Sequence, residues 1–183
     1  MPYETIVQLL EILSKPAGNA PGFPYKTLLD IGCGNGYFVE QMREEGCQAV
    51  GIDLAPRRKY KHIVRGDARN LSEYFGKRKF DVITANGVLN SGGLLEALCI
   101  TDPKIAEAMQ NKRSWSQKDI KLLHENALAV LRSCYAQLNS PGLFINSEGN
   151  FGEDYLVYSK KEIKEIGFSP FIFRKNIAVL GKN

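Results

Sequence analysis

A doubly wound α/β fold is what this 183-residue sequence predicts: a mostly parallel sheet of seven strands, helices on both faces and an antiparallel hairpin at the end. Three observations predict it. Short apolar runs alternate with amphipathic stretches along the chain, as successive βα units require. The first such run, KTLLDI (26–31), is apolar on both faces, which suits a strand buried in a parallel sheet. It opens directly into Gly32, Gly34 and Gly36, three glycines in five residues, and then into helical spacing.

Taken in order, Ile6, Leu9, Leu10 and Leu13 fall at i, i+3, i+4 and i+7, so residues 3–14 read as an amphipathic helix. KPAGNAPGFPY follows, and five Pro or Gly in eleven residues make it a linker. Residues 1–25 are therefore expected to cover the pocket of a main domain spanning 26–183. Phe38, Val39 and Met42 resume helical spacing after the glycines, and Gly46 sits where a C-terminal cap belongs. QAVGID (48–53), HIVRGD (62–67) and FDVITAN (80–86) are the second to fourth strands. An insertion at about 91–115 has the composition of two small helices and is expected to form a lid. Ser116 to Leu138 reads as a long helix with a stripe of Ile120, Leu123, Ala127, Leu131, Cys134 and Leu138. NSPG stops it and GLFINS makes the fifth strand. Ser159-Lys-Lys-Glu162 is a capping box for a short helix closed by Gly167, and FSPFIFRK and NIAVLGK form the hairpin.

Composition is ordinary for a globular chain, 44% hydrophobic and 24% charged, which excludes disordered and fibrous classes. A net charge of +4 and a pI near 8.8 permit an acidic partner without demanding one. Cys33, Cys47, Cys99 and Cys134 contain no CxxC pair, so neither a zinc site nor a disulfide framework is expected, and no metal. MPYETIVQLL lacks the basic start of a signal peptide, and no apolar run approaches the roughly 18 residues of a membrane span. A cytoplasmic protein without membrane contact is the expectation. Oligomeric state is not encoded in any motif.

Ligands of open parallel sheets bind in the crevice beyond the carboxyl ends of the strands. The residues there are Asp30 with the glycines, Asp53, Asp67, Asn86 and, after the fifth strand, Glu148. Glycine lets the chain turn sharply and lets a ligand touch backbone, while the following helix aims N–H groups and partial positive charge at it. A carboxylate at the end of the second strand can accept from both hydroxyls of a ribose. A nucleoside cofactor is the common denominator. The run is GxGxG, with Tyr37 in the slot where the dinucleotide fingerprint has its third glycine. Asp53 would also repel a 2′-phosphate.

Asp30-Ile-Gly-Cys-Gly-Asn-Gly36 resembles the first motif, (D/E)xGxGxG, of class I S-adenosylmethionine-dependent methyltransferases. Gly51-Ile-Asp53 resembles the acidic end of their second strand and Gly66-Asp67-Ala68 the loop after their third, and the likeness runs over about residues 26–181. The resemblance implies a Rossmann-like fold and S-adenosylmethionine as cofactor. It implies that Asp30 and the loop Gly32, Cys33, Gly34, Asn35 and Gly36 hold the methionine part, and that Asp53 with Leu54 takes the ribose. Asp67 and Ala68 would face the adenine amino group and ring edge, and Asn86 would open toward cofactor and substrate. One departure stands out. Only thirteen residues separate Asp53 from Asp67, including Pro56 and the basic run Arg57, Arg58, Lys59, Lys61, so the helix between those strands must be shortened or absent.

The sequence thus points to methyl transfer by in-line displacement, with a small-molecule acceptor as the leading reading. Asn86-Gly87-Val88-Leu89 is not the (N/D)PP(Y/F) motif that holds a flat nucleobase, which speaks against DNA base amines. An RNA methyltransferase, motivated by the pI and the basic run, is the alternative within enzymes. A non-catalytic methyltransferase-like binding or interaction protein is the alternative outside them, and a dinucleotide oxidoreductase is more distant. No residue is singled out as a strong acid or base: Asn86 and Glu148 are the candidates for a catalytic role, and His124 reads as structural.

Overall fold

The computed structural model describes residues 25–57, 61–89, 117–147, 158–174 and 177–183. They form β1 (Thr27–Ile31), α1 (Tyr37–Glu44), β2 (Gln48–Asp53), β3 (Ile63–Arg65), a 3-10 turn (Ala68–Asn70), α2 (Leu71–Phe75) and β4 (Phe80–Asn86). These are followed by α3 (Gln117–Gln137), β5 (Leu138–Ser147), α4 (Lys160–Ile166), β6 (Ser169–Arg174) and β7 (Ile177–Lys182). The seven strands make one sheet in the order β3-β2-β1-β4-β5-β7-β6. β1 to β5 pair in parallel, and β7 lies antiparallel between β5 and β6. Strand order reverses between β1 and β4, which puts the crevice of a doubly wound sheet there.

Continuous apolar strands bury both faces, and their alternation sorts the core into two layers. Leu28, Val82, Ile145 and Val179 pack on Phe38, Val39 and Met42 of α1. Leu29, Ile31, Ile83 and Phe144 face the other way, onto Leu123, Ala127, Leu131 and Cys134 of α3 and Ile163 of α4. Four members of the α3 stripe expected from spacing, Leu123, Ala127, Leu131 and Cys134, are thus buried; the Ile120 side chain lies outside the described residues. The capping box also forms: Ser159 Oγ accepts from Glu162 N (3.3 Å), and Glu162 Oε2 accepts from Ser159 N (2.8 Å).

At the opposite end of the sheet from the crevice, Asp81 fastens three strands. Its Oδ2 accepts from the backbone of Lys26 (3.0 Å) and Thr27 (2.9 Å), and its Oδ1 from Asn139 Nδ2 (2.7 Å). Thr27 Oγ1 accepts in return from Asp81 N (2.9 Å). Burial alone would raise the Asp81 pKa, but these donors outweigh it and hold the carboxyl below its ordinary value.

Two stretches differ from the sequence reading. Leu138 belongs to β5, not to the helix, and NSPG lies inside that strand; a register irregularity opposite Phe80–Val82 absorbs the extra residues. The tether from Asn139 to Asp81 keeps this stretch in the sheet. After β3, the 3-10 turn and α2 occupy a region to which spacing assigned no helix. The shortened link between β2 and β3 is present, and residues 54–57 and 61–62 hold no helix. The expected N-terminal helix, the 91–115 insertion and Glu148 lie outside the described residues.

Candidate active site

The glycine loop is built by contacts with the two neighbouring strands. Ile52 O accepts from Gly32 N (2.8 Å) and Cys33 N (3.3 Å), which folds the loop back over the end of β2. Gly32 has φ +66°, and a side-chain methyl of Val88 fills the space a Cβ would need there. Gly34 has φ +55° and, among the described residues, open space where its Cβ would be, a cradle into which a ligand can bring atoms against the main chain. Its N–H donates to Asp53 Oδ2 (2.9 Å) and its carbonyl accepts from Arg57 N (3.1 Å). Gly36, also left-handed at φ 77°, is the N-cap of α1, and Asn35 Oδ1 accepts from Tyr37 N (3.3 Å). Cys33 turns its thiol inward against Gly51. Burial, reinforced by the carboxylates of Asp30 and Asp53, pushes that thiol to about 12, so it is neutral and offers the site only backbone.

Asp30, one residue before the end of β1, is 1% exposed. Thr84 Oγ1 donates to its Oδ1 (2.7 Å), while Oδ2 is buried with no hydrogen-bond partner among the described residues. Burial raises its pKa to about 7, partly opposed by the Thr84 hydroxyl and reinforced by the charge of Asp53. Asp53 ends β2, half-buried. Besides Gly34 N on Oδ2 it takes Ala55 N on Oδ1 (2.8 Å), which leaves each oxygen one acceptor position. Leu54 contributes a carbonyl that accepts from Arg65 Nε (3.1 Å).

Asp67 follows β3 and caps the 3-10 turn, accepting from Arg69 N at Oδ1 (2.9 Å). The Arg69 guanidinium folds back onto the same carboxylate, with Nη2 to Oδ2 at 2.5 Å and Nε to Oδ1 and Oδ2 at 3.0 and 2.8 Å. Burial would raise the Asp67 pKa; the Arg69 hydrogen bonds and charge reverse this and hold it below the ordinary value. Ala68 is half-buried at the start of the turn. Asn86 ends β4, where its Oδ1 accepts from the hydroxyl of Ser147 (2.9 Å), the last residue of β5. Gly87 N donates to Ser147 O (2.8 Å).

Asp30, the glycine loop and Asp53 are therefore joined at the crevice, with Asn86 on the neighbouring strand end and Asp67 at the far side of β2. Sequence reasoning missed four partners: Thr84, Arg69, Asn126 and Ser147. Three are polar residues nine-tenths or more buried, a signal visible only once the strands are paired. His124 is not in the crevice; its Nε2 pairs with Glu162 Oε1 (2.7 Å) between α3 and α4.

A family model described as a methyltransferase domain matches residues 4–145. No curated protein matches the sequence. Solved structures share the fold at low identity. The sugar N-methyltransferase KedS8 from Streptoalloteichus superposes with a TM-score of 0.58 at 12% identity, covering 98% of this chain and 86% of that one. Magnesium protoporphyrin IX methyltransferase from Synechocystis, solved with bound S-adenosylmethionine, gives 0.56 at 15% identity, covering 98% and 77%. The 1,6-didemethyltoxoflavin N1-methyltransferase of Burkholderia thailandensis, solved with its substrate and S-adenosylhomocysteine, gives 0.55 at 15%, covering 100% and 77%.

Proposed function

This chain belongs to the S-adenosylmethionine-dependent methyltransferases, and from that premise we propose that it moves the cofactor's methyl group to a nucleophile on a small molecule. The observation that carries the reading is the 2.9 Å bond from Gly34 N to Asp53 Oδ2, which sets a ribose-type acceptor beside an open glycine cradle. The residues fit the cofactor on two further counts. Asp30 holds a buried, orphaned oxygen at the methionine side, where a cationic ligand would supply the missing partner. Asp53 keeps one acceptor position on each oxygen for the two ribose hydroxyls.

Bound there, the cofactor supplies an electrophilic methyl on a sulfonium. The rest of the work is positional. Asp53 would fix the sugar, Asp67 and Ala68 the base, and Asp30 with the loop Gly32–Gly36 the amino-acid end, so that an acceptor can approach in line at about 3 to 3.5 Å. Holding reactants so can supply about 7–11 kcal/mol of a barrier, which is why no buried acid–base pair is required. A small acceptor is supported by the neighbours, whose substrates are named as a sugar, a porphyrin and a toxoflavin precursor. The segment Asn86-Gly87-Val88-Leu89 also lacks the stacked prolines and aromatic ring that would clamp a nucleobase.

Calorimetry with S-adenosylhomocysteine tests the donor site. Asp53→Ala should weaken binding by about 1–3 kcal/mol, the loss of hydrogen bonds to a charged acceptor. An unchanged affinity would remove the ribose assignment, and no binding to the parent protein would remove the enzyme reading. Transfer of labelled methyl to extract fractionated by size then identifies the acceptor class.

A further inference from the structure

Residues 54–62 join β2 to β3, fewer than the dozen or so that a helical crossover takes, and the described part next to the site, residues 54–57, carries no helix. A stretch of that kind ordinarily has loose backbone. Here each of the four residues is fixed. Leu54 O accepts from Arg65 Nε (3.1 Å), and Ala55 N donates to Asp53 Oδ1 (2.8 Å). Pro56 has no amide hydrogen to place, and its ring restricts φ to about −65°. Arg57 N donates to Gly34 O (3.1 Å).

These bonds close a ring through the site. Gly34 N donates to Asp53 Oδ2 (2.9 Å), so the ring runs from Asp53 through Ala55 and Pro56 to Arg57, crosses to Gly34 and returns to Asp53. Gly34 is thus held through both its amide and its carbonyl. Its left-handed conformation (φ +55°) is one that glycine enters easily and, unheld, leaves as easily. We propose that Arg57 is a positioning residue acting through its backbone amide: it locks Gly34 to the link and so holds the ribose acceptor and the glycine cradle in one fixed geometry before the cofactor arrives. The inference rests on the donor-site assignment made above. A ligand that spans both halves gains from the fixed spacing, because the ordering of Gly34 has already been met in folding. A ligand that reaches only Asp53 does not, because Asp53 keeps its own bond from Ala55 N. The exposed Arg57 side chain takes no part in the ring.

The test compares S-adenosylhomocysteine, which spans both halves, with 5′-methylthioadenosine, which lacks the amino-acid end. Arg57→Pro removes the amide donor. It should weaken S-adenosylhomocysteine about fivefold, the worth of one hydrogen bond, and leave 5′-methylthioadenosine within about twofold of the parent. Arg57→Ala keeps the amide and should bind both ligands as the parent does. Equal weakening of both ligands by Arg57→Pro, no weakening by it, or the same loss in Arg57→Ala would each overturn the proposal. Amide hydrogen exchange on the ligand-free parent protein gives a readout that does not depend on how Arg57→Pro folds. The Gly34 and Arg57 amides should be protected there, and exchange at the free-peptide rate would overturn the proposal too. Asp53→Ala separates this inference from the donor assignment. It should weaken both ligands, and unchanged affinity for both would remove the ribose assignment and take the ring's role with it.

Discussion

Asp30 brings a carboxylate to a place that water does not reach, with a single hydroxyl donor to stabilise it. A buried acid whose pKa rises from 3.8 to about 7 binds its proton in the folded state while the unfolded chain has already lost it. Between those values the native state carries more protons, so stability falls as pH rises, and the penalty is complete above about pH 7. Asp30→Asn removes the titration and keeps an acceptor for Thr84. Relative to the parent, the variant should be near neutral at about pH 4 and more stable by about 2–4 kcal/mol at pH 8, read from urea melts. A difference that stays constant with pH would show that Asp30 does not titrate in this window. The variant should also bind S-adenosylhomocysteine more weakly at pH 8, because the ligand's ammonium then loses the charge that favours it. Stability gained with affinity lost is the signature expected of a residue kept for binding.

Among elements, the closed end of the sheet depends on Asp81 much as the open end depends on Asp53. Asp81→Ala should cost about 1–3 kcal/mol, since it strips acceptors from the amides of Lys26 and Thr27 and frees Asn139. The sign with pH is opposite to that of Asp30. Here the folded pKa is depressed, so the contribution is present above the ordinary carboxylate range and is lost as pH falls through the folded value. Acid unfolding should therefore be shallower in Asp81→Ala than in the parent, and parallel acid melts would contradict this. The elements themselves were legible where a period could be counted. Five strands, the α3 stripe, the capping box and the hairpin all follow from apolar spacing and turn chemistry. The turn and α2 after β3 were not, because five residues give no measurable period. Nor was the start of β5, where a sequence rich in turn residues is held in the sheet by Asn139. At the site, the strand-end acids could be found by position alone. The residues that brace the site could not: Thr84, Asn126 and Ser147 lie 54, 57 and 61 residues from Asp30, Arg69 and Asn86, and only strand register and helix docking join them.

For the molecule as a whole, the proposed ligand bridges β1, β2 and the turn after β3, three segments otherwise joined edge to edge. A ligand that binds only the folded state adds stability by mass action. S-adenosylhomocysteine at about a hundred times its Kd should contribute about 2.7 kcal/mol, or roughly 5–10 °C in melting temperature for a chain of this size. Asp53→Ala at the same ligand concentration should show a smaller rise, and an equal rise would mean that the ligand sits elsewhere.

Val88 and Gly32 carry this reasoning into engineering. The methyl group of Val88 occupies the volume that any side chain at position 32 would need. The segment after β4, which in the proposed reading faces the methyl acceptor, is thus also the lid of the loop that holds the donor. Exchanging Asn86–Leu89 for a relative's segment, the natural move for anyone grafting a new acceptor preference, would also recut the surface on which the glycine loop rests. On that reading, acceptor and donor specificity are one part, to be redesigned together.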